Sequence, residues 1–198
     1  MKIAVDVALL PPENIMDIVI ELNQTHDPIN NMNKVDNLPH FTLAMGVIEE
    51  EQIELVNEKL KQIAEEFSKI DLELIGITYH LKPNGKKSWY FTIKENEILR
   101  NLHGEVMKVL LPIFTYNVAT DMFDQTDPVD PISTYWVENY AKHHKTPEGF
   151  KPHLSIKVNK DIETDLKFPI KFTASKFGLF HQGDHCTCRT TFGLFELK

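Results

Sequence analysis

Two spacings of apolar residues recur along the chain, and they predict its elements. Residues 3–9 alternate as a strand, with Ile3, Val5 and Val7 on one face. Pro11 and Pro12 then open a helix to about Asn23, a place proline tolerates because its missing N–H would be unpaired there. Residues 23–37 are polar and rich in Asn, and read as a loop. Residues 38–47 form a second strand. A helix follows over 49–69, with Ile53, Val56, Leu60, Ile63 and Phe67 at spacings of three and four. Residues 72–81 and 88–94 make a hairpin around Lys82, Pro83, Asn84, Gly85, Lys86 and Lys87, since Asn-Gly is a strong turn signal. Residues 98–111 are helical, with Ile98, Leu102, Val106 and Val109/Leu110 inward. Prolines 112, 128, 131 and 147 mark 112–150 as irregular, with one helix over 132–144. A strand covers 150–158, and 170–180 pairs with 187–197 as a closing hairpin. Strands and helices alternate while tight turns join strand pairs. The fold class is therefore α+β, with mainly antiparallel sheets.

Composition narrows the possibilities. At 198 residues the chain buries enough surface to fold without a staple, and residues 1–198 are expected to form one domain. The formal net charge of −8 repels long polyanions. It argues against duplex DNA and acidic membranes as partners, yet leaves room for a small phosphate ligand in a locally positive cleft. Cys186 and Cys188 cannot build a disulfide framework, which points to a reducing compartment. The apolar run near the N-terminus is broken by Asp6 and ended by the proline pair, too short for a signal sequence. A cytoplasmic monomer is the expectation.

One pattern repeats. Pro39-His40-Phe41-Thr42-Leu43 returns as Pro152-His153-Leu154-Ser155-Ile156, one copy in each half of the chain. On a strand, His40 and Thr42 share one face while Phe41 and Leu43 share the other, and the second copy behaves alike. Each strand would anchor an apolar face in a core and present an imidazole beside a hydroxyl. Two such strands around one cleft suit phosphodiester chemistry. One imidazole serves as base, the other as acid, and the hydroxyls donate to phosphate oxygens. No metal or other cofactor is needed for that. A single His-x-Thr would mean little, and a buried histidine bonded to a neighbouring hydroxyl is the bland alternative; the duplication with its matching proline weighs against it.

The paired motifs resemble the His-x-Thr/Ser signature of the 2H phosphoesterase superfamily, which includes RNA 2′,3′-cyclic phosphodiesterases, also called 2′-5′ RNA ligases. The opening strand with Leu10-Pro11-Pro12 and a helix, the approach Phe150-Lys151-Pro152-His153, and the closing hairpin are similar to that family too. The resemblance covers most of the chain outside 112–150. It implies a bilobal, pseudo-twofold arrangement of two antiparallel sheets flanked by helices, with a central cleft. It makes His40 and His153 the acid/base pair and Thr42 and Ser155 the phosphate grips, with a nucleotide or RNA end as substrate. The implied activity is metal-independent hydrolysis of a 2′,3′-cyclic phosphate. Joining or cutting a 2′-5′ linkage, and a non-catalytic module that binds nucleotides or RNA ends, remain alternatives. The insertion at 112–150 bears on substrate choice.

Other groupings carry less. His181, His185, Cys186 and Cys188 fit no usual zinc spacing, so no metal is assigned to them. His185 and Arg189 are candidate substrate contacts near the cleft mouth. Asp121, Asp124, Asp127 and Asp130 lack the calcium-loop pattern and read as turn and cap residues. Tyr135, Trp136 and Tyr140 suit core packing better than base stacking. His143 and His144 suit the negative end of a helix. Lys82, Lys86 and Lys87 read as solvated, though near enough to a turn to meet a phosphate tail.

Overall fold

The first strand, β1 (Lys2–Leu10), is buried from Ile3 onward. It lies between two partners, β2 (Phe41–Glu49) and β7 (Lys176–Gly183), and a strand covered on both faces needs an almost continuous apolar run. With β8 (Thr187–Glu196) they form a four-stranded sheet in the order β2-β1-β7-β8. The second sheet has the order β5-β4-β3-β6, from β3 (Ile70–Leu81), β4 (Lys87–Ile93), β5 (His153–Ser155) and β6 (Ile170–Ala174). Every pairing is antiparallel. The helices are α1 (Glu13–His26), α2 (Ile53–Glu66), α3 (Glu97–Leu110) and α4 (Pro131–His144). Helix α2 packs on β8, and α3 and α4 pack on β2. The chain is described here from a computed structural model over residues 1–27, 31–81, 85, 87–146, 148–158 and 160–198.

The α+β class and the two antiparallel sheets agree with the sequence reading. Each histidine motif sits at an edge of its own sheet, on β2 and β5, and these two strands touch. The sheet containing β3 to β6 is drawn from one stretch of chain, whereas the other is assembled from both flanks of that stretch.

Several boundaries moved. The strand expected over 170–180 is two strands in different sheets, and the chain crosses between them at Ser175. Burial alternates in β6, at Phe172 and Ala174, whereas in β7 the run from Phe177 to Phe180 is buried throughout, so the alternation ends at the crossing. The strand expected over 150–158 shrinks to three residues. Pro152 brings no N–H to the ladder, and Lys157 has a φ of 51°. The helix expected over 49–69 begins with a 3-10 turn, Glu50–Gln52, and ends at Glu66. Asn23 is not the start of a loop but a buried residue of α1. Its side chain donates to the Ile156 and Lys157 carbonyls at 3.3 and 3.1 Å and accepts from the Met32 N–H at 2.9 Å. In α3 the inward residue is Leu99, and Ile98 is exposed. The segment 112–150 holds α4 and a short 3-10 turn, Thr120–Met122. Of the turn read at 82–87, Lys82, Pro83, Asn84 and Lys86 lie outside the described residues. Among the described residues no helix is long and apolar enough to cross a membrane.

Candidate active site

The alternation expected for the two motifs holds on the apolar side: Phe41, Leu43, Leu154 and Ile156 are fully buried. On the other side, His40, Thr42, His153 and Ser155 all line one cleft of about 690 Å³. The two histidines are held alike. His40 Nδ1 lies 2.7 Å from the Leu38 carbonyl and His153 Nδ1 lies 3.1 Å from the Lys151 carbonyl, in each case across the motif's proline. A carbonyl only accepts, so Nδ1 carries the proton and donates, which leaves Nε2 of each ring for chemistry.

A bulge sets the first motif. Val7 pairs with Ala44 and Ala8 with Thr42, so Leu43 is an extra residue in β2. Its carbonyl accepts from the Tyr140 hydroxyl at 2.9 Å and meets His103 Nδ1 at 2.7 Å. The α4 segment is thereby bolted to the motif. Its other end is fixed by Asp184, whose Oδ1 accepts from the Ser133 hydroxyl at 3.0 Å and the Asp130 N–H at 2.8 Å.

Two ionisable residues that the sequence reading passed over stand beside His40. Asp6 is wholly buried in the middle of β1. Its Oδ2 accepts from the Thr42 hydroxyl at 3.0 Å and from Gln182 Nε2 at 3.3 Å, and lies 3.8 Å from His40 Nε2. Burial pushes the Asp6 carboxyl up to about 7, against the opposing pull of those hydrogen bonds and of Lys157. Burial also pulls His40 down to about 4, helped by the charges of Lys157 and His153 and resisted by the Leu38 bond. Between about pH 4 and 7 the Asp6–His40 contact therefore joins two neutral groups and is no ion pair. Lys157, pulled down to about 8 by burial, lines the cleft and donates to Asn37 Oδ1 at 3.2 Å. A sequence signal existed for Lys157, which continues the parity of His153 and Ser155. For Asp6 the signal was a carboxylate inside an apolar strand.

The cleft walls keep His153 below the ordinary histidine value, with a smaller contribution from His80 and against the Lys151 bond. As a whole residue His153 is the more exposed of the two histidines. His80, Tyr90 and His153 form a row of rings on the second sheet, with centroids 5.8 and 5.2 Å apart. Six histidines line the cleft: His40, His80, His143, His144, His153 and His185. Among the described residues its other charged groups are Arg100, Lys151 and Lys157 against the single carboxylate Glu95, a positive balance in an acidic protein.

The remaining candidates divide. His185 lines the cleft. Arg189 does not; its guanidinium is paired with Asp127 and lies 3.9 Å from Asp36. Trp136 is not a core residue: it is 41% exposed and lines the cleft, while Tyr135 is exposed and only Tyr140 is buried. His144 does more than sit at a helix end, because its Nδ1 bonds the Gly149 carbonyl at 3.0 Å. The cluster at 181–188 does not converge. His181 Nε2 bonds the Met122 carbonyl at 3.1 Å, and the donors that do gather, among the described residues, are those of Asp6, His40 and Cys188.

Comparison with known proteins places the fold. No protein-family model and no curated protein matches the chain. Solved structures do. TT0787 of Thermus thermophilus is similar with a TM-score of 0.63 at 17% identity, over 98% of each chain. E. coli LigT in complex with 3′-AMP gives 0.57 at 14% identity, over 100% of this chain and 98% of that one. A phosphoesterase gives 0.54 at 15%, over 100% and 99%. At these identities the likeness is one of fold, and it runs the full length, including 112–150.

Proposed function

We propose that the protein is a phosphoesterase of the 2H type that hydrolyses a 2′,3′-cyclic phosphate on a nucleotide or RNA end. The observation that carries this reading is the meeting of both motifs in one cleft, each imidazole held through Nδ1 by the carbonyl two residues earlier. The positive lining of the cleft suits a phosphate. The similar LigT has been solved with 3′-AMP and with phosphate, which agrees with that ligand chemistry.

His40 is the base in this reading, since burial keeps it neutral far below neutrality. Its Nε2 takes a proton from water as the oxygen attacks phosphorus. The bond from phosphorus to one ribose oxygen breaks, and His153 gives that oxygen its Nε2 proton. The product is a ribose phosphomonoester, and the two rings exchange roles of protonation before the next turn. Thr42 and Ser155 face the phosphate, and Lys157 offsets the growing negative charge. Incubating the purified chain with nucleoside 2′,3′-cyclic phosphates and following the product by phosphorus NMR tests the reading. Monoester formation lost in His40→Ala and His153→Ala is expected. Tight binding of those ligands without turnover favours the non-catalytic module instead.

A further inference from the structure

His40 lines the cleft from the approach to β2, and behind it lie the buried Asp6 of β1 and Cys188 of β8. One donor atom of each lies within 4.8 Å of the others. His40 Nε2 and Asp6 Oδ2 are 3.8 Å apart. Tetrahedral zinc with bonds of about 2.0–2.3 Å sets its ligand atoms about 3.3–3.6 Å from one another, so small side-chain adjustments close the set. The donors are one nitrogen, one oxygen and one sulfur. That mixture suits a zinc-type ion and disfavours magnesium or calcium, which take oxygen alone.

Four further observations point to a ligand there. The Leu38 carbonyl fixes His40 with its proton on Nδ1, and metal-bound histidines are held in the same way by their second nitrogen. Asp6 Oδ2 is steadied by Thr42 and Gln182. Asp6 Oδ1 is buried without a hydrogen-bond partner among the described residues, although Asp6 has no exposure at all. Cys188 is a free, fully buried thiol, and the catalytic steps above do not use it.

We propose that Asp6, His40 and Cys188 form an inhibitory binding site for Zn²⁺, with a water or substrate oxygen in the fourth position. Coordination occupies the Nε2 lone pair that would accept the proton from water, so the bound ion silences the base. On binding, the Cys188 thiol releases its proton to solvent, as does any proton held by Asp6, and two anionic ligands balance the dication. The inhibition rests on the hydrolase reading; the coordination does not.

The test uses the full chain, reduced and stripped with chelator, and titrates it with Co²⁺ and then Zn²⁺. One Co²⁺ per chain with a near-ultraviolet thiolate-to-cobalt band, displaced by Zn²⁺, is expected. Cys188→Ser should abolish the band and weaken Zn²⁺ binding by about tenfold or more. It should keep its turnover of cyclic phosphate, which Zn²⁺ then no longer inhibits. Should Cys188→Ser fail to fold, His40→Ala decides by the same binding measurement. Absence of the band in the unaltered chain overturns the site, as does a band that survives in either variant. Equal inhibition of the unaltered chain and Cys188→Ser overturns the regulatory role. A band in a protein that turns over no cyclic phosphate sinks the hydrolase reading and leaves the metal site standing.

Discussion

His40 and His153 are dressed alike yet buried unequally, and in the proposed mechanism that asymmetry divides acid from base. Replacing either with Ala should lower kcat/KM by roughly 10²–10⁴-fold, the usual worth of one acid–base step. The double variant should fall little further, because a half-equipped site cannot use its remaining partner. Melting temperatures should stay near the parent's, since the adjacent Phe41 and Leu154 carry the packing. Thr42→Ala and Ser155→Ala should cost less than either histidine. With His40 pulled down to about 4 and His153 held below 6.5, kcat/KM should peak between those values, and a maximum on the alkaline side of neutrality would contradict the assignment. Asp6 makes a separate prediction about stability. Its folded pKa is raised from 3.8 to about 7, so between those values the folded chain binds more protons than the unfolded one, and Asp6 lowers stability as pH rises. Above about pH 7 the whole penalty is present. Asp6→Asn should thus gain stability relative to the parent as pH climbs from 4 to 7, which chemical denaturation at several pH values measures.

Among the elements, α1 and α4 do the supporting. Asn23 of α1 braces the two carbonyls that follow β5, one of them on Lys157 in its left-handed conformation. Asn23→Ala leaves those buried acceptors unpaired, and a loss of about 1–3 kcal/mol is expected by denaturant unfolding. Trp136 of α4 is a wall of the cleft with half-open surroundings, so Trp136→Ala should raise KM while leaving the melting temperature nearly unchanged. These roles mark where the sequence was legible. The motifs, the helices with repeated apolar spacing and the antiparallel class were all written in local periodicity. Asn23 was not, because a polar residue at a helix end looks the same whether water or a distant carbonyl receives it. Asp6 was visible only as an interruption, and its meaning depends on Thr42, Gln182 and Cys188, which are far away in the chain. Trp136 was misread because a large aromatic on a short helix is as readily buried as left facing a cleft. The split at Ser175 was present only as an end to the alternation, and two strands of the same apolar character disguise a change of sheet.

Over the whole molecule, charge is divided against itself: the chain carries −8 while its cleft is lined by more cations than anions. On the proposed function a phosphate ligand is held by the positive cleft, so kcat/KM should decline with added salt as that attraction is screened. Turnover should also survive chelation, since two imidazoles and two hydroxyls supply the acid, the base and the phosphate contacts. Loss of activity in EDTA, restored by a divalent ion, would refute this metal-independent route. The way the two sheets share the chain has a consequence for biosynthesis. The middle stretch carries every strand of the second sheet, so all four are synthesised before β7 and β8. The first sheet waits, because β1 has β2 on one side but no neighbour on the other until β7 and β8 are made. Gln182 and Cys188, which enclose Asp6 and His40, follow every strand of the second sheet in the chain. Of the two motif histidines, His40 is thus synthesised first and enclosed last, so on the proposed mechanism a nascent chain seats its acid before its base.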